Sequence, residues 1–247
     1  MLRLYTFAIS HFSEKARWAL DFEGIGYTER RLLPGLHMPV MWLRAPKTTV
    51  PMLEHDSEVV QGSSAILDYV EAKLGGTRLA PPSGAATRER ARELEAQCDH
   101  AFGLGVQRIL YDVLLRDPKV VIDLWSQDAP SWSRAFYRVA FPLMAKGIKD
   151  AYGVSDEKVV EMKDTFRRGI DETDRALEGN RYLFGDEGPS RVDIAVASLF
   201  APICCPPEHT TRWPVQAPEH RVFQAEFEGR PTWDFVLRMY RDHRRAP

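Results

Sequence analysis

The first 76 residues carry two hydrophobic periodicities in alternation. Residues 2–8, LRLYTFA, form a short apolar run that predicts a strand. Residues 11–23 then bring Phe12, Ala16, Ala19 and Leu20 onto one helical face, and Gly24 and Gly26 supply the stop. Tyr27 to Leu33 predicts a second strand, closed by Pro34-Gly35 and followed by an irregular stretch. Two apolar runs, Pro51 to Glu54 and Glu58 to Gln61, flank the polar turn His55-Asp56-Ser57 and predict a hairpin. Between Ser63 and Leu74, residues Ile66, Leu67, Val70 and Leu74 recur at helical spacing, with Lys73 near the end and Gly75-Gly76 after it. The order βα, β, irregular, ββα predicts a small α/β sandwich over residues 1–76.

Residues 77–87 are rich in Gly, Pro and small side chains and are read as a linker. Beyond them strand-like alternation stops, and helical patterns run over 88–116, roughly 131–152, 156–178, 190–201 and 232–243. Residues 88–247 are therefore expected to form an all-helical domain. A chain of 247 residues can bury either one large core or two modest ones.

Charge changes this picture little. The 35 acidic and 33 basic residues nearly cancel, which gives no electrostatic case for nucleic acid or an anionic membrane as partner and favours a small neutral or zwitterionic ligand. Three cysteines, Cys98, Cys204 and Cys205, form neither a disulfide framework nor a metal-binding spacing, so no metal is expected. With no secretory leader and no apolar run of about 18 residues, the expectation is a soluble, cytoplasmic protein.

Three short motifs carry candidate chemistry. Ser10 and Ser13 lie where the first strand turns into the first helix, in "ISHFSEKARWAL". Ser63-Ser64 opens the second helix, where a hydroxyl serves as an N-cap and free amides at the positive end of the helix dipole attract a carboxylate. Ser190-Arg-Val-Asp193, ahead of an apolar run, has capping-box spacing and predicts the start of a buried helix. The Val50-Pro51 bond precedes a strand, a position where proline is ordinary.

Taken together, these stretches resemble a cytosolic glutathione transferase of the serine type, bacterial-like, over nearly the whole chain. Ser-x-Phe-Ser-x-x-x-Arg leads into helix one. "RAPKTTVPML" resembles the family's Asn-Pro-x-Gly-x-Val-Pro loop, and "GSSAILDYV" its Glu-Ser-x-Ala-Ile-x-x-Tyr element. The Ser-x-x-Asp box resembles the helical domain's folding motif.

The resemblance implies a thioredoxin-like N-terminal domain followed by an all-α domain that supplies a second-substrate pocket. It assigns Ser10 to the glutathione sulfur and makes Val50-Pro51 cis, with Val50 offering its backbone to the cysteinyl part of the tripeptide. Ser63 and Gln61 would meet the γ-glutamyl end. Thr49, His37 or Lys47 would meet the glycine carboxylate, and Ser13 would be a subsidiary donor or a helix-one residue. Ser13 also stands where thioredoxins place the second cysteine of a Cys-x-x-Cys pair, so the chemistry must use the thiol of glutathione as co-substrate.

The partner so implied is a small hydrophobic electrophile, and the assembly a homodimer. The alternatives are a glutathione-binding protein with little turnover and a glutathione-dependent dehalogenase or isomerase. Departures from the family pattern are Gly62 where a Glu or Gln is usual, Ala45 for Asn, and Thr48-Thr49 for Gly and a frequently basic residue. Phe102, Tyr111, Trp125, Trp132 and Tyr137 have the spacing either of helical core or of a pocket wall, and the sequence does not separate the two. Cys204-Cys205 read as buried spectators.

Overall fold

The structure is a computed structural model that describes residues 1–81, 85–214 and 217–244. Four strands, β1 (Leu2–Thr6), β2 (Thr28–Arg31), β3 (Met52–His55) and β4 (Glu58–Gln61), form one sheet in the order β2-β1-β3-β4. β1 runs parallel to β2 and antiparallel to β3, and β3–β4 is the expected hairpin. The register places Leu4 opposite Leu53 and Tyr5 opposite Met52. Leu4 and Leu53 enter the main core, whereas Tyr5 and Met52 meet Met41 on the other face. Both central strands are thus covered on both sides, which is why β1 reads as an apolar run and not as a polar-apolar alternation.

Helices α1 (His11–Glu23) and α3 (Ser63–Lys73) lie on the main-core face, close to their expected bounds. α1 stops at Gly24, whose φ of 71° is the left-handed conformation a C-terminal glycine permits. A short helix, α2 (Met38–Trp42), with Pro39 in its first turn, stands in the stretch expected to be irregular. Five residues hold too few apolar positions for a period to be read there.

The remainder of the described chain is helical. The single helix expected over 88–116 is three pieces: α4 (Ala85–Cys98), a π-helical turn (Asp99–Leu104) and α5 (Gly105–Leu114). There follow α6 (Pro118–Trp125), α7 (Trp132–Tyr152), α8 (Asp156–Leu177), α9 (Arg191–Cys204), α10 (Pro218–Ala225) and α11 (Pro231–His243). α6 and α10 are additional to the expected set. Part of the stretch read as a linker, 82–84, lies outside the described residues.

α9 is buried along its length and starts at the expected capping box, where the Ser190 N–H donates to Asp193 Oδ2 at 2.8 Å. It packs against α1, which is thereby enclosed between sheet and helices. That enclosure buries Glu14, Lys15 and Arg17 of α1, and each is paired. Lys15 Nζ meets Glu95 at 2.7 Å and Asp99 at 2.6 Å, and donates to Ser64 Oγ at 2.9 Å. Arg191 completes the cluster through Glu95, Asp68 and Glu71, joining α1, α3, α4, the π turn and α9.

Candidate functional site

Everything proposed for the site depends on how the chain leaves β1. Ser10 is the N-cap of α1, with extended backbone angles of −80° and 119°, and its Oγ accepts the Ser13 N–H at 3.2 Å. A hydroxyl that accepts there keeps its own proton to donate, and that O–H has no acceptor among the described residues. Ser10 is part-exposed at the positive end of a 13-residue helix.

Ser13 is different. It is fully buried, and its Oγ accepts the Phe7 N–H at 3.3 Å, so it ties α1 back to the end of β1. That is the helix-one role expected of it.

The loop carrying residues 7–9 is held from below. Arg17 donates to the carbonyls of Phe7 at 3.4 Å and Ala8 at 3.3 Å. It also pairs with Glu14 and Glu29, both at 2.9 Å. Glu14 pairs in turn with Arg244 from the end of α11, at 2.6 Å. Burial alone would raise the Glu14 pKa; the guanidiniums of Arg17 and Arg244 outweigh it and hold the carboxyl well below its usual range. Arg17 stands in the motif quoted above, but its partners are invisible from sequence because Arg244 lies 230 positions beyond Glu14.

On the neighbouring loop the Val50-Pro51 bond is cis, as expected. Gln61 braces this loop: its Oε1 accepts the Lys47 N–H at 3.1 Å, and its Nε2 donates to the carbonyls of Lys47 at 2.7 Å and Thr49 at 3.1 Å. Both ends of the amide are engaged by the loop, and Oε1 keeps one lone pair. Thr49 is exposed beside it. His37 is half-buried, its ring edge-on to Phe7, and burial lowers its pKa against the opposing influence of the Thr48 and Leu33 backbone. It therefore touches both loops.

The N-cap of α3 falls on Gly62, at a φ of 95°, and not on a serine. No side chain caps this helix, so its first-turn amides keep their hydrogen-bonding capacity beside the buried Ser63. Ser64 is occupied elsewhere, donating to Asp99 at 2.6 Å.

Next to Ser10 opens a cleft of about 210 Å³, walled by Phe7 and Ile9, by Leu33 and Pro34, by Trp125 at the end of α6, and by Pro130 in the turn to α7. Of the aromatic residues noted in sequence, Trp125 lines this cleft, Tyr137 is buried behind it, and Tyr111 stacks on Tyr152 at 5.5 Å. Phe102 belongs to the main core with Phe166 and Phe200, and Trp132 is exposed. Sequence reasoning gave no part in the site to His11, whose Nε2 donates to the Gly103 carbonyl at 2.9 Å, and placed Phe12 only on the helix's apolar face, whereas its ring lies where a Cβ on Gly103 would stand. Only glycine at 103 lets the π turn approach α1 so closely. Cys98 and Cys204 are buried, with their thiol pKa values pushed up by burial. No group of metal-ligating side chains occurs among the described residues, and no described helix is long and apolar enough to cross a membrane.

Residues 4–78 match the family model for the glutathione S-transferase N-terminal domain. The chain is 24% identical over 214 residues to glutathione S-transferase TCHQD of Arabidopsis thaliana, covering 81% of this chain and 76% of that protein. A Pseudomonas putida glutathione S-transferase is 31% identical over 122 residues, 44% of this chain and 55% of the relative. Among solved structures, the fold is similar to the β-etherase LigF of Sphingobium, with a TM-score of 0.63 at 19% identity, covering 96% and 98% of the two chains. It is also similar to a glutathione S-transferase of Ceriporiopsis subvermispora in complex with glutathione, with a TM-score of 0.61 at 17% identity over 100% and 98% of the chains.

Proposed function

We propose, from the match of residues 4–78 to the glutathione S-transferase N-terminal domain and the likeness of most of the chain to a glutathione S-transferase, that the chain is a member of that family and that Ser10 ionises the thiol of bound glutathione for attack on a small hydrophobic electrophile. The observation that carries the reading is the Ser10 hydroxyl, which accepts from the helix and keeps its proton to donate. A free thiol with a pKa near about 8.5 is only about 3% thiolate at pH 7, and lowering it by two units takes about 2.7 kcal/mol. One charge-assisted hydrogen bond supplies about 1.5–3 kcal/mol, and the helix terminus adds to it. The thiol proton leaves to solvent. The sulfur then forms a bond to the electrophilic carbon, whose leaving group departs with its electron pair.

In this reading residues 1–76 are the glutathione-binding domain, and 88–247 the helical domain with the second-substrate pocket, joined across 77–87. The Val50 backbone pairs with the cysteinyl segment, in the manner of an added strand. Ser63 and the uncapped amides of α3 take the γ-glutamyl carboxylate. Thr49, His37 or Lys47 take the glycine carboxylate. The cleft beside Ser10 receives the electrophile, its apolar wall selecting for hydrophobic partners.

A cytoplasmic, detoxifying homodimer completes the proposal. Light scattering at micromolar concentration is expected to give twice the chain mass, and a monomer would refute the assembly. A glutathione-binding protein with little turnover is the second reading, favoured by Gly62, which places no side chain where the family usually has a carboxylate or amide. Calorimetric titration with glutathione, followed by a turnover assay with an aryl halide, separates the two. Binding with turnover supports the transferase, binding without turnover selects the second reading, and no binding overturns both.

A further inference from the structure

The outer face of α7 is built against the usual logic of a solvated helix. Trp132, Val139 and Leu143, at positions i, i+7 and i+11, fall on one face and are 54%, 84% and 78% exposed. Ala135 and Pro142 extend the same strip and are also exposed. At about 100° per residue, Arg138 and Lys149 follow one flank of the strip, Arg134 lies farther round towards the buried face, and Lys146 and Asp150 fall on the strip near its far end. α7 thus carries four basic residues and one acidic, Asp150, a local charge of +3 in a chain of net charge −2. Arg134 pairs with Asp123 at 3.4 Å, whereas Arg138, Lys146 and Lys149 meet no carboxylate among the described residues. Near-neutrality of the whole chain conceals this segregation.

The inner face is committed to the protein. Tyr137 is buried and donates to the Pro34 carbonyl at 3.1 Å, and Met144 lies against Gly35. The strip therefore runs along the back of the hairpin that walls the cleft beside Ser10.

We propose that this face of α7 docks the protein on an anionic lipid surface, with Trp132, Val139 and Leu143 entering the headgroup boundary and Arg138, Lys146 and Lys149 meeting lipid phosphates and carboxylates. A basic flank beside an apolar strip is the pattern of a helix lying in the membrane interface. The strip is convex, and a headgroup layer, unlike a protein partner, requires no matching pocket. A second copy placed on it by two-fold symmetry would set the basic flank against itself. The proposal stands apart from the glutathione reading and concerns a surface on which that reading does not depend. If both hold, the cleft opens beside the phase into which apolar electrophiles partition.

Sedimentation of the full chain with vesicles tests this, using phosphatidylcholine alone or mixed with phosphatidylserine, at low and high salt. The protein is expected to pellet with the phosphatidylserine vesicles at low salt and to be released as salt rises. Val139→Glu with Leu143→Glu should weaken that binding about tenfold or more, and Arg138→Glu with Lys149→Glu should do so independently. Both pairs are exposed, so circular dichroism and thermal midpoint should match the parent. Three results would overturn the proposal: no pelleting or equal pelleting with neutral vesicles, binding indifferent to both variants, or a dimer in solution that the Val139/Leu143 variant splits while vesicles bind neither form.

Discussion

Ser10 and Ser13 have the same side chain, three residues apart, in opposite circumstances. Ser10 is part-exposed, with a donor to spare; Ser13 is sealed against the end of β1, where its oxygen answers the Phe7 N–H. Ser13→Ala should therefore act on stability. Leaving that half-buried N–H without a partner costs about 1 kcal/mol, the low end for an unpaired donor, read as a lower denaturant midpoint, while the thiol pKa of bound glutathione stays put. A Ser13 variant that raises that pKa and leaves the midpoint unchanged would reverse the two roles. In sequence only the family resemblance separates the two serines; their difference in burial becomes visible with the fold. Gln61 shows the same limit, since its amide has the chemistry of a ligand and its bonds to the Lys47 and Thr49 backbone are visible only in the fold.

Neighbouring residues of α1 serve different braces. Glu14 faces Arg244 at the chain's far end, and Lys15 faces Glu95 and Asp99. Lys15→Ala should lower stability by about 3–5 kcal/mol, because two carboxylates lose their shared cation and Asp99 keeps only Ser64. Urea denaturation checks this, and a loss under about 1 kcal/mol would mean that the cluster is solvated like a surface pair. α1 with its stop at Gly24 was legible in sequence almost to the residue, and so was the start of α9 at its Ser190-Asp193 box, although that helix runs on to Cys204, beyond the 201 expected. α2 is too short to show a period. The π turn leaves helical periodicity nearly intact over 88–116, so the break there is visible only where Gly103 meets Phe12. α6 and α7 form a satellite apolar cluster of their own, and pattern alone does not say that it closes over Ile9 and Leu33. The loops of the site were legible through resemblance, since little in their composition marks them.

The acid side of the molecule's stability follows from histidines spread across it. His11, His209 and His220 are each pushed down to about 4 by burial, against a value near 6.5 in the unfolded chain. Between those values the unfolded state takes up protons that the folded state refuses. Stability is therefore full above about pH 6.5 and is lost progressively as pH falls to about 4. Glu14, held low by its two guanidiniums, extends the loss further into acid. Denaturant midpoints measured in steps from pH 7 to pH 4 should fall steadily, and a flat profile would contradict the burial of these rings. Above that window the folded molecule is expected to hold glutathione with its thiol ionised at Ser10. Thiolate absorbance of bound glutathione, followed against pH in the parent and in Ser10→Ala, tests that directly. The account predicts an apparent pKa about one to two units below that of free glutathione in the parent, returned most of the way in Ser10→Ala, with affinity for glutathione little changed. An equal pKa in the two proteins, or a parent value no lower than that of free glutathione, would contradict it.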